Sequence, residues 1–380
     1  MIPDLRNCFI LKFRRSHRSI LNLLNTQGSK DLLQETSPEE RDLPAGVRSL
    51  RVAAIGGGTG LSTLLRGLCR HVVPPSQPLS VRGQISDLAA IVTVTDDGGS
   101  SGRLRKDFNM LPPGDLRNCM VAVSQEGDLL AKLFAHRFRA GDGLEGHNFG
   151  NLFVAALTEI TGDFGHAIQL SSKILATRGS IYPVTTANAT LIARMEDGSL
   201  VRGETRITAS KLRIEELMLD PPDSPATPEA LEAIEKADLI TVGPGSLYTS
   251  LITNLLVQGV PAALARARGV RVFICNLMTQ ANESLGLSAS EHIERIYEHA
   301  HGPVFDYALV NITAFSSDTL ARYAAEGASP IEADIERIEA LGVRCIAGDF
   351  ASEGNVVRHD AESVTEALLD LGNAGPYAKP

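Results

Sequence analysis

"VAAIGGGTGLSTLL", residues Val52 to Leu65, is the stretch on which the reading of this chain turns. An apolar run without polar alternation leads into a cluster of glycines, and apolar residues then recur at helical spacing, which is the order buried strand, tight loop, helix. Neither common phosphate fingerprint can be laid over it. Leu61 stands where G-x-G-x-x-G needs its third glycine, and no lysine follows as G-x-x-x-x-G-K-[ST] requires. A loop of Gly56, Gly57, Gly58 and Gly60 still lets backbone amides approach an anion closely. Thr59 adds a hydroxyl, and the helix expected from about Leu61 adds the positive end of its dipole. A phosphate site is therefore expected there, the plain alternative being a strand-to-helix turn without a ligand.

Outward from this loop the pattern repeats. "AAIVTVT" is a second buried strand ending at Thr95, and "LITV" (Leu239 to Val242), "RVFICNL" (Arg271 to Leu277), "DYALVN" (Asp306 to Asn311) and "VRCIAG" (Val343 to Gly348) are further ones. Helical patterns lie between most of them, as at Ser290 to Ala300 and Asp318 to Glu326. Buried strands alternating with helices predict an α/β fold, a mostly parallel sheet with helices on both faces. A different texture interrupts it from about 127 to 223. A helical block is followed by "SIYPV", "ATLIARM" and "LVRGETRI" as short strands, "EDGS" turning between the last two, and this reads as an inserted helical and small β-hairpin subdomain.

The expected organisation is a poorly ordered N-terminal extension over 1–50, one α/β domain over 51–372 carrying the insertion, and a flexible tail over 373–380. The chain has 380 residues, 43% apolar and 21% charged, so its length suffices for a buried core and a largely disordered protein is excluded. A net charge of −9 argues against a nucleic-acid-binding surface. Five scattered cysteines without a C-x-x-C pair fit a reducing cytosol and give no zinc site. No apolar run approaches the roughly 20 residues of an integral membrane segment. A cytoplasmic location follows as the expectation.

Chemistry collects in the loops after the strands, where open α/β sheets bind ligands. In "DDGGSSGRLRKDF", Asp96 or Asp97 is placed for ribose hydroxyls or for Mg²⁺ against phosphate oxygens. Consecutive side chains point oppositely, so one aspartate is expected at the ligand and the other bracing the loop. Gly98, Gly99, Ser100 and Ser101 offer a second backbone cradle, and Arg103 can neutralise phosphate. "LPPGDLRN" opens a helix with Asp115 as its expected N-cap, followed by Arg117 and Asn118 in the first turn. In "GHNFGNL", His147, Asn148 and Asn151 can share one helical face and aim at one ligand. In "TVGPGSLYTSL", Gly243, Pro244, Gly245 and Ser246 echo the first loop, with Tyr248 available to stack or hydrogen-bond.

Taken in order, "AAIGGGTGLSTLLRGL", "IVTVTDDGGSSGRLR", "LPPGDLRNCMVA", "GHNFGNLFVAALTEITGDF", "TVGPGSLYTSLITNLLV", "CNLMTQANE" and "VVRHD" closely resemble the bacterial gluconeogenesis factor family, the YvcK-like proteins. That family shares a superfamily with the 2-phospho-L-lactate transferases, the CofD-like enzymes. The resemblance runs from about Arg51 to Leu371. It implies a cytoplasmic protein with a Rossmann-like core that binds a UDP-sugar of the UDP-N-acetylglucosamine class. It further implies a part in cell shape and wall-precursor supply during gluconeogenic growth, through cell-wall synthesis proteins as partners, with no assigned reaction. By motif, Gly56 to Gly60 would meet the diphosphate, Asp96 and Asp97 the nucleoside or a metal, and Gly243 to Ser246 the far part of the ligand. After "MTQ" the family usually carries a tyrosine where this chain has Leu287, so a stacking contact from that residue is missing here.

Two functions of different classes stay open at this level. One is a regulatory nucleotide-sugar binder, able to act as a homo-oligomer. The other is a transferase moving a phospholactyl-like group from a nucleoside diphosphate carrier to an acceptor hydroxyl with Mg²⁺, by positioning and charge neutralisation. A 5% aromatic content without tryptophan leans toward the binder, because a deazaflavin acceptor needs an aromatic slot.

Overall fold

The fold was analysed in a computed structural model, which describes residues 49–73, 84–124, 129–280 and 283–375. The expected extension up to residue 48 and the last five residues of the expected tail lie outside these. β1 (Leu50–Gly56) leads through Gly57 into α1 (Gly58–Cys69), and β2 (Ile85–Val92) is followed by α2 (Gly99–Phe108), α3 (Gly114–Ala122), α4 (Leu129–Ala135), α5 (Phe149–Thr161) and α6 (Phe164–Ile174). Next come β3 (Ser180–Pro183), β4 (Thr190–Met195), β5 (Leu200–Arg202), α7 (Glu204–Ala209), β6 (Ile214–Asp220), α8 (Pro228–Lys236) and β7 (Leu239–Val242). A π-helical turn (Leu247–Ile252) continues as α9 (Thr253–Leu255), then α10 (Val260–Arg266), β8 (Val270–Ile274), α11 (Ala289–Ala300), β9 (Tyr307–Asn311), α12 (Ser317–Ala325) and α13 (Ile335–Ala340). The chain closes with β10 (Arg344–Gly348), the short pair β11 (Ala351–Ser352) and β12 (Arg358–His359), and α14 (Ala361–Ala374).

Seven strands form a parallel sheet in the order β10-β9-β8-β7-β1-β2-β3, a Rossmann-like α/β architecture. β1 explains why its sequence showed no alternation: both faces are covered. Leu50, Val52 and Ala54 join one core with α1, α3 and α14, while Ala53 and Ile55 join the other with α8, α10 and α11. The three-stranded antiparallel sheet β5-β4-β6 packs Leu191, Ala193, Met195, Leu217 and Leu219 into that second core.

The amino ends of the strands are pinned by two matching clamps. Arg51, at the start of β1, donates from its amide and Nε to Asp238 Oδ2, both at 3.0 Å, and from Nη2 to Oδ1 at 3.2 Å. Arg271, at the start of β8, repeats the pattern on Asp306, with its amide at 3.1 Å, Nε at 2.9 Å and Nη2 at 2.6 Å. A planar guanidinium matched to a carboxylate this way fixes the register of neighbouring strands.

Several local expectations change. "SIYPV" is the edge strand β3 of the large sheet, paired parallel to β2, rather than part of the small one. "GETRI" does not extend a strand but forms α7, and "IEELMLD" supplies the third antiparallel strand β6. α1 starts at Gly58, three residues before Leu61, and β2 stops at Val92 instead of Thr95.

Candidate functional site at the topological switch point

The chain moves outward from β1 to β2 and β3 and then returns to the other flank of β1 as β7. The loops after β1 and β7 therefore part, and the crevice between them is where such sheets bind ligands. A cleft of about 340 Å³ lies there, with Gly57 to Gly60 on one side, Pro244 to Ser246 on the other, and Asn276 to Gln280, Tyr323 and Val356 to His359 around it. Two larger grooves, of about 630 and 650 Å³, run along the amino ends of β2 and β3 and beside β6, away from the glycine loops.

Close approach dictates two of the glycines. A Cβ on Gly60 would stand 2.4 Å from Pro244 O, and one on Gly57 2.5 Å from Thr93 Cγ2, so side chains there would wedge the loops apart. Gly58, at φ +62°, faces open space with Ser250 Oγ 4.0 Å from its virtual Cβ, so its need is conformational. Across the cleft the loop of Gly243, Pro244, Gly245 and Ser246 is tied to Asn276, whose Nδ2 donates to Gly245 O at 2.8 Å. Ser246 Oγ accepts from Gln280 Nε2 at 3.0 Å.

An acid occupies one of the amides that were expected to await an anion, and a second acid closes the turn after the other glycine loop. Asp115 does not cap its own helix, where Pro113 is the N-cap; its Oδ2 accepts the Gly58 N–H at 2.7 Å. Glu283 accepts the amides of Tyr248 and Thr249 at 3.0 and 3.2 Å and the Thr249 hydroxyl at 2.8 Å, closing the start of the π-helical turn. Tyr248 is buried and donates its hydroxyl to Ile214 O at 3.2 Å, so it belongs to the core and not to a ligand.

Both aspartates of the second loop hold backbone, each in a different place. Asp97 braces α7, accepting from the amide and hydroxyl of Thr205 at 2.8 and 2.5 Å, while Asp96 accepts only from the Gly98 amide, at 2.8 Å, among the described residues. Gly99 opens α2 at φ +47°. Ser101 Oγ lies 2.4 Å from a virtual Cβ on Gly114, bringing α2 onto α3. Arg103 donates to Glu145 O, and Arg117 donates to Asn118 Oδ1. His147, Asn148 and Asn151 do not converge as one face. Asn148 caps α5 by accepting the Asn151 amide at 3.3 Å, His147 Nδ1 meets Ser100 Oγ at 3.1 Å, and Asn151 is buried with no partner for Oδ1 among the described residues.

The electrostatics follow from crowding acids together. Burial, with Asp96 adding to it against the Gly58 hydrogen bond, pushes the Asp115 carboxyl up to about 6. Burial and then Asp96, Asp115, Glu283 and Asp97 push Glu204 up to about 9, and burial raises Glu283 as well. Hard oxygen donors in mutual repulsion suit a proton or a divalent cation. Among the described residues no group of three metal-ligating side chains is assembled, so a cation here would keep most of its water.

Sequence reasoning passed over Arg358 and His359, although both stand in "VVRHD". Arg358 is the one arginine or lysine among the described residues lining the cleft. His359 donates from Nε2 to Cys275 O at 3.0 Å, and burial pushes its imidazole down to about 4. The signal available was a charged pair just before an Asp360 N-cap, which puts it at the mouth of a helix. Leu287 packs partly buried against the core and is not among the cleft residues.

A family described as 2-phospho-L-lactate transferase CofD matches residues 52–351, which include the glycine loop, the aspartate loop and the return loop after β7. The chain belongs to the CofD family. Within that family it is similar to a gluconeogenesis factor of Halalkalibacterium halodurans, 45% identical over 325 residues that cover 85% of this chain and 97% of the relative. The gluconeogenesis factor of Bacillus subtilis is 42% identical over 84% of this chain and 98% of its own length. A crystal structure of a Bacillus halodurans protein, described as a member of the upf0052 family, superposes at a TM-score of 0.79 with 44% identity, covering 85% of this chain and all of that one. No described helix of this CofD-family chain is long and apolar enough to cross a membrane.

Proposed function

We propose that this CofD-family chain is a cytoplasmic regulatory protein that binds a UDP-sugar of the UDP-N-acetylglucosamine class in the switch-point cleft. In this reading it acts with wall-synthesis partners on cell shape during gluconeogenic growth. The observation that carries the reading is the pairing of two glycine loops pressed together at the strand reversal, with Arg358 at the same cleft. Amides of the α1 first turn beyond Gly58, the Thr59 and Ser246 hydroxyls and the Arg358 guanidinium would hold the diphosphate. The naming of the relatives as gluconeogenesis factors supports the regulatory role.

The acidic set gives a second reading its footing. Asp96 and Asp115, neither joined to a cation among the described residues, fit Mg²⁺, which usually takes one or two carboxylates and keeps its waters. Such an ion would neutralise a diphosphate leaving group, as a transferase of the phospholactate type requires.

Calorimetry of the full chain against UDP-N-acetylglucosamine, UDP-glucose, GDP and NAD, with and without Mg²⁺, tests both. A UDP-sugar is expected to bind, and Gly58→Val and Arg358→Ala to weaken it. Mass spectrometry of the nucleotide after long incubation separates binder from transferase. Binding of no nucleotide at millimolar concentration, or unchanged affinity in both variants, refutes the site.

A further inference from the structure

Three arginines outside the cleft converge, and none of them forms an ion pair among the described residues. Arg103, on α2, donates from Nη2 to Glu145 O at 2.9 Å, and Arg137, just after α4, donates from Nη1 to Gly146 O at 2.7 Å. Carbonyls of consecutive residues stand only a few ångströms apart, so two guanidinium groups close on one short piece of loop despite their repulsion. The third, Arg117 on α3, is 7% exposed, and its Nε has no partner among the described residues. A Cβ on Gly150 would meet its Cγ and Cδ at 2.9 Å, which places its stem against the first turn of α5.

Their mutual proximity registers in the neighbouring titrations. Burial and then the charge of Arg137 pull the Arg117 guanidinium down to about 10, with Asp115 and Asp96 opposing. Burial and then Arg103 lower the His147 imidazole, Asp107 opposing and Arg137 adding to the fall. The Ser100 hydroxyl accepts from the Asn148 amide at 3.3 Å and hydrogen-bonds His147 Nδ1 at 3.1 Å.

Holding a loop carbonyl needs no charge, and three cations brought together without an ion pair among the described residues favour an anion that joins them. A dianionic phosphoryl group satisfies several planar forks at once. We propose that Arg103, Arg117 and Arg137, backed by Ser100 and His147, form a second anion site, separate from the residues lining the cleft, that takes the phosphoryl group of a phosphorylated small molecule. Asp115 touches Gly58 on the cleft loop and attracts Arg117 on this side, so the Asp96 and Asp115 pair partitions the two sites. The assignment does not depend on which nucleotide occupies the cleft.

Inorganic phosphate is the probe, titrated calorimetrically into the full chain at low ionic strength, where such attraction is least screened. Wild type and Arg66→Ala, which removes an exposed arginine of α1 outside both sites, should bind it alike. Arg103→Ala and Arg137→Ala should each weaken binding at least about tenfold, since each removes a charge-assisted fork. Both side chains are exposed, so the melting temperatures without phosphate should stay near wild type. Arg137→Lys keeps the charge without the fork and should fall between wild type and Arg137→Ala. Three results would overturn the assignment. The first is no binding to wild type at about 10 mM phosphate, weaker than any useful site. The second is wild-type affinity in both alanine variants, which makes the arginines loop staples only. The third is loss of binding in Arg66→Ala, which makes the uptake a response to overall charge.

Discussion

Replacing Asp115 with asparagine should make the folded chain more stable while impairing the site it serves. The carboxyl rises from 3.8 to about 6 on folding, chiefly through burial and then through Asp96. A tenfold change in proton affinity corresponds to about 1.4 kcal/mol, so keeping this group ionised in the fold costs about 3 kcal/mol. The folded state holds the proton more tightly than the unfolded one. The penalty is thus absent below the unfolded value of 3.8, grows as pH climbs toward 6, and is constant above it. An amide cannot ionise, yet its oxygen can still accept the Gly58 N–H. Losing the charge in that bond gives back about 1 kcal/mol, leaving a net gain of about 1–2 kcal/mol. Scanning calorimetry should show Asp115→Asn melting a few degrees above wild type at about pH 8, the offset shrinking toward about pH 4. A variant that melts below wild type at the higher pH, or an offset that does not change with pH, would show that the acidic crowding is not what strains this loop.

Other consequences are open to measurement. Gly60→Ala drives a Cβ to 2.4 Å from Pro244 O, a backbone atom that cannot swing aside, so chemical denaturation should show about 1–3 kcal/mol lost. His359, neutral in the fold with its imidazole at about 4 against an ordinary 6.5, is protonated first in the unfolded chain. Stability should therefore fall as pH drops from 6.5 toward 4, and His359→Gln should flatten that limb in pH-resolved melts. Arg105 donates to Thr95 O, Ala189 O and Asn188 Oδ1 at 3.3, 2.5 and 3.0 Å, tying α2 to the start of β4. Arg105→Met should loosen amide-exchange protection at both ends of that tie, and equal protection would remove its structural role.

What could be read in advance was what neighbours in sequence decide. Buried apolar runs gave the main strands because a parallel strand covered on both faces has no other pattern to show. The four residues Ser180 to Pro183 carry no comparable length, and beside a hairpin they looked like its companion; only pairing with β2, some ninety positions earlier, makes them an edge of the large sheet. Asp115 followed the local rule for a helix start, but its carboxyl found a better donor in Gly58, 57 positions away. Tyr248, next to a glycine loop, looked available to a ligand until β6 supplied a carbonyl for its hydroxyl. Arg358 had only the helix start at Asp360 to mark it, with no glycine-rich loop beside it, and its place at the cleft comes from the sheet bringing the end of the chain back to the middle.

The clamps of Arg51 on Asp238 and Arg271 on Asp306 lie at the opposite edge of the sheet from every glycine loop. A saturation mutagenesis map of this chain should for that reason separate into two bands, one where substitutions cost abundance but spare binding among surviving molecules, and one where molecules accumulate normally and fail at recognition. The loops could then be rewritten for a new ligand without disturbing the edge that keeps the strands aligned.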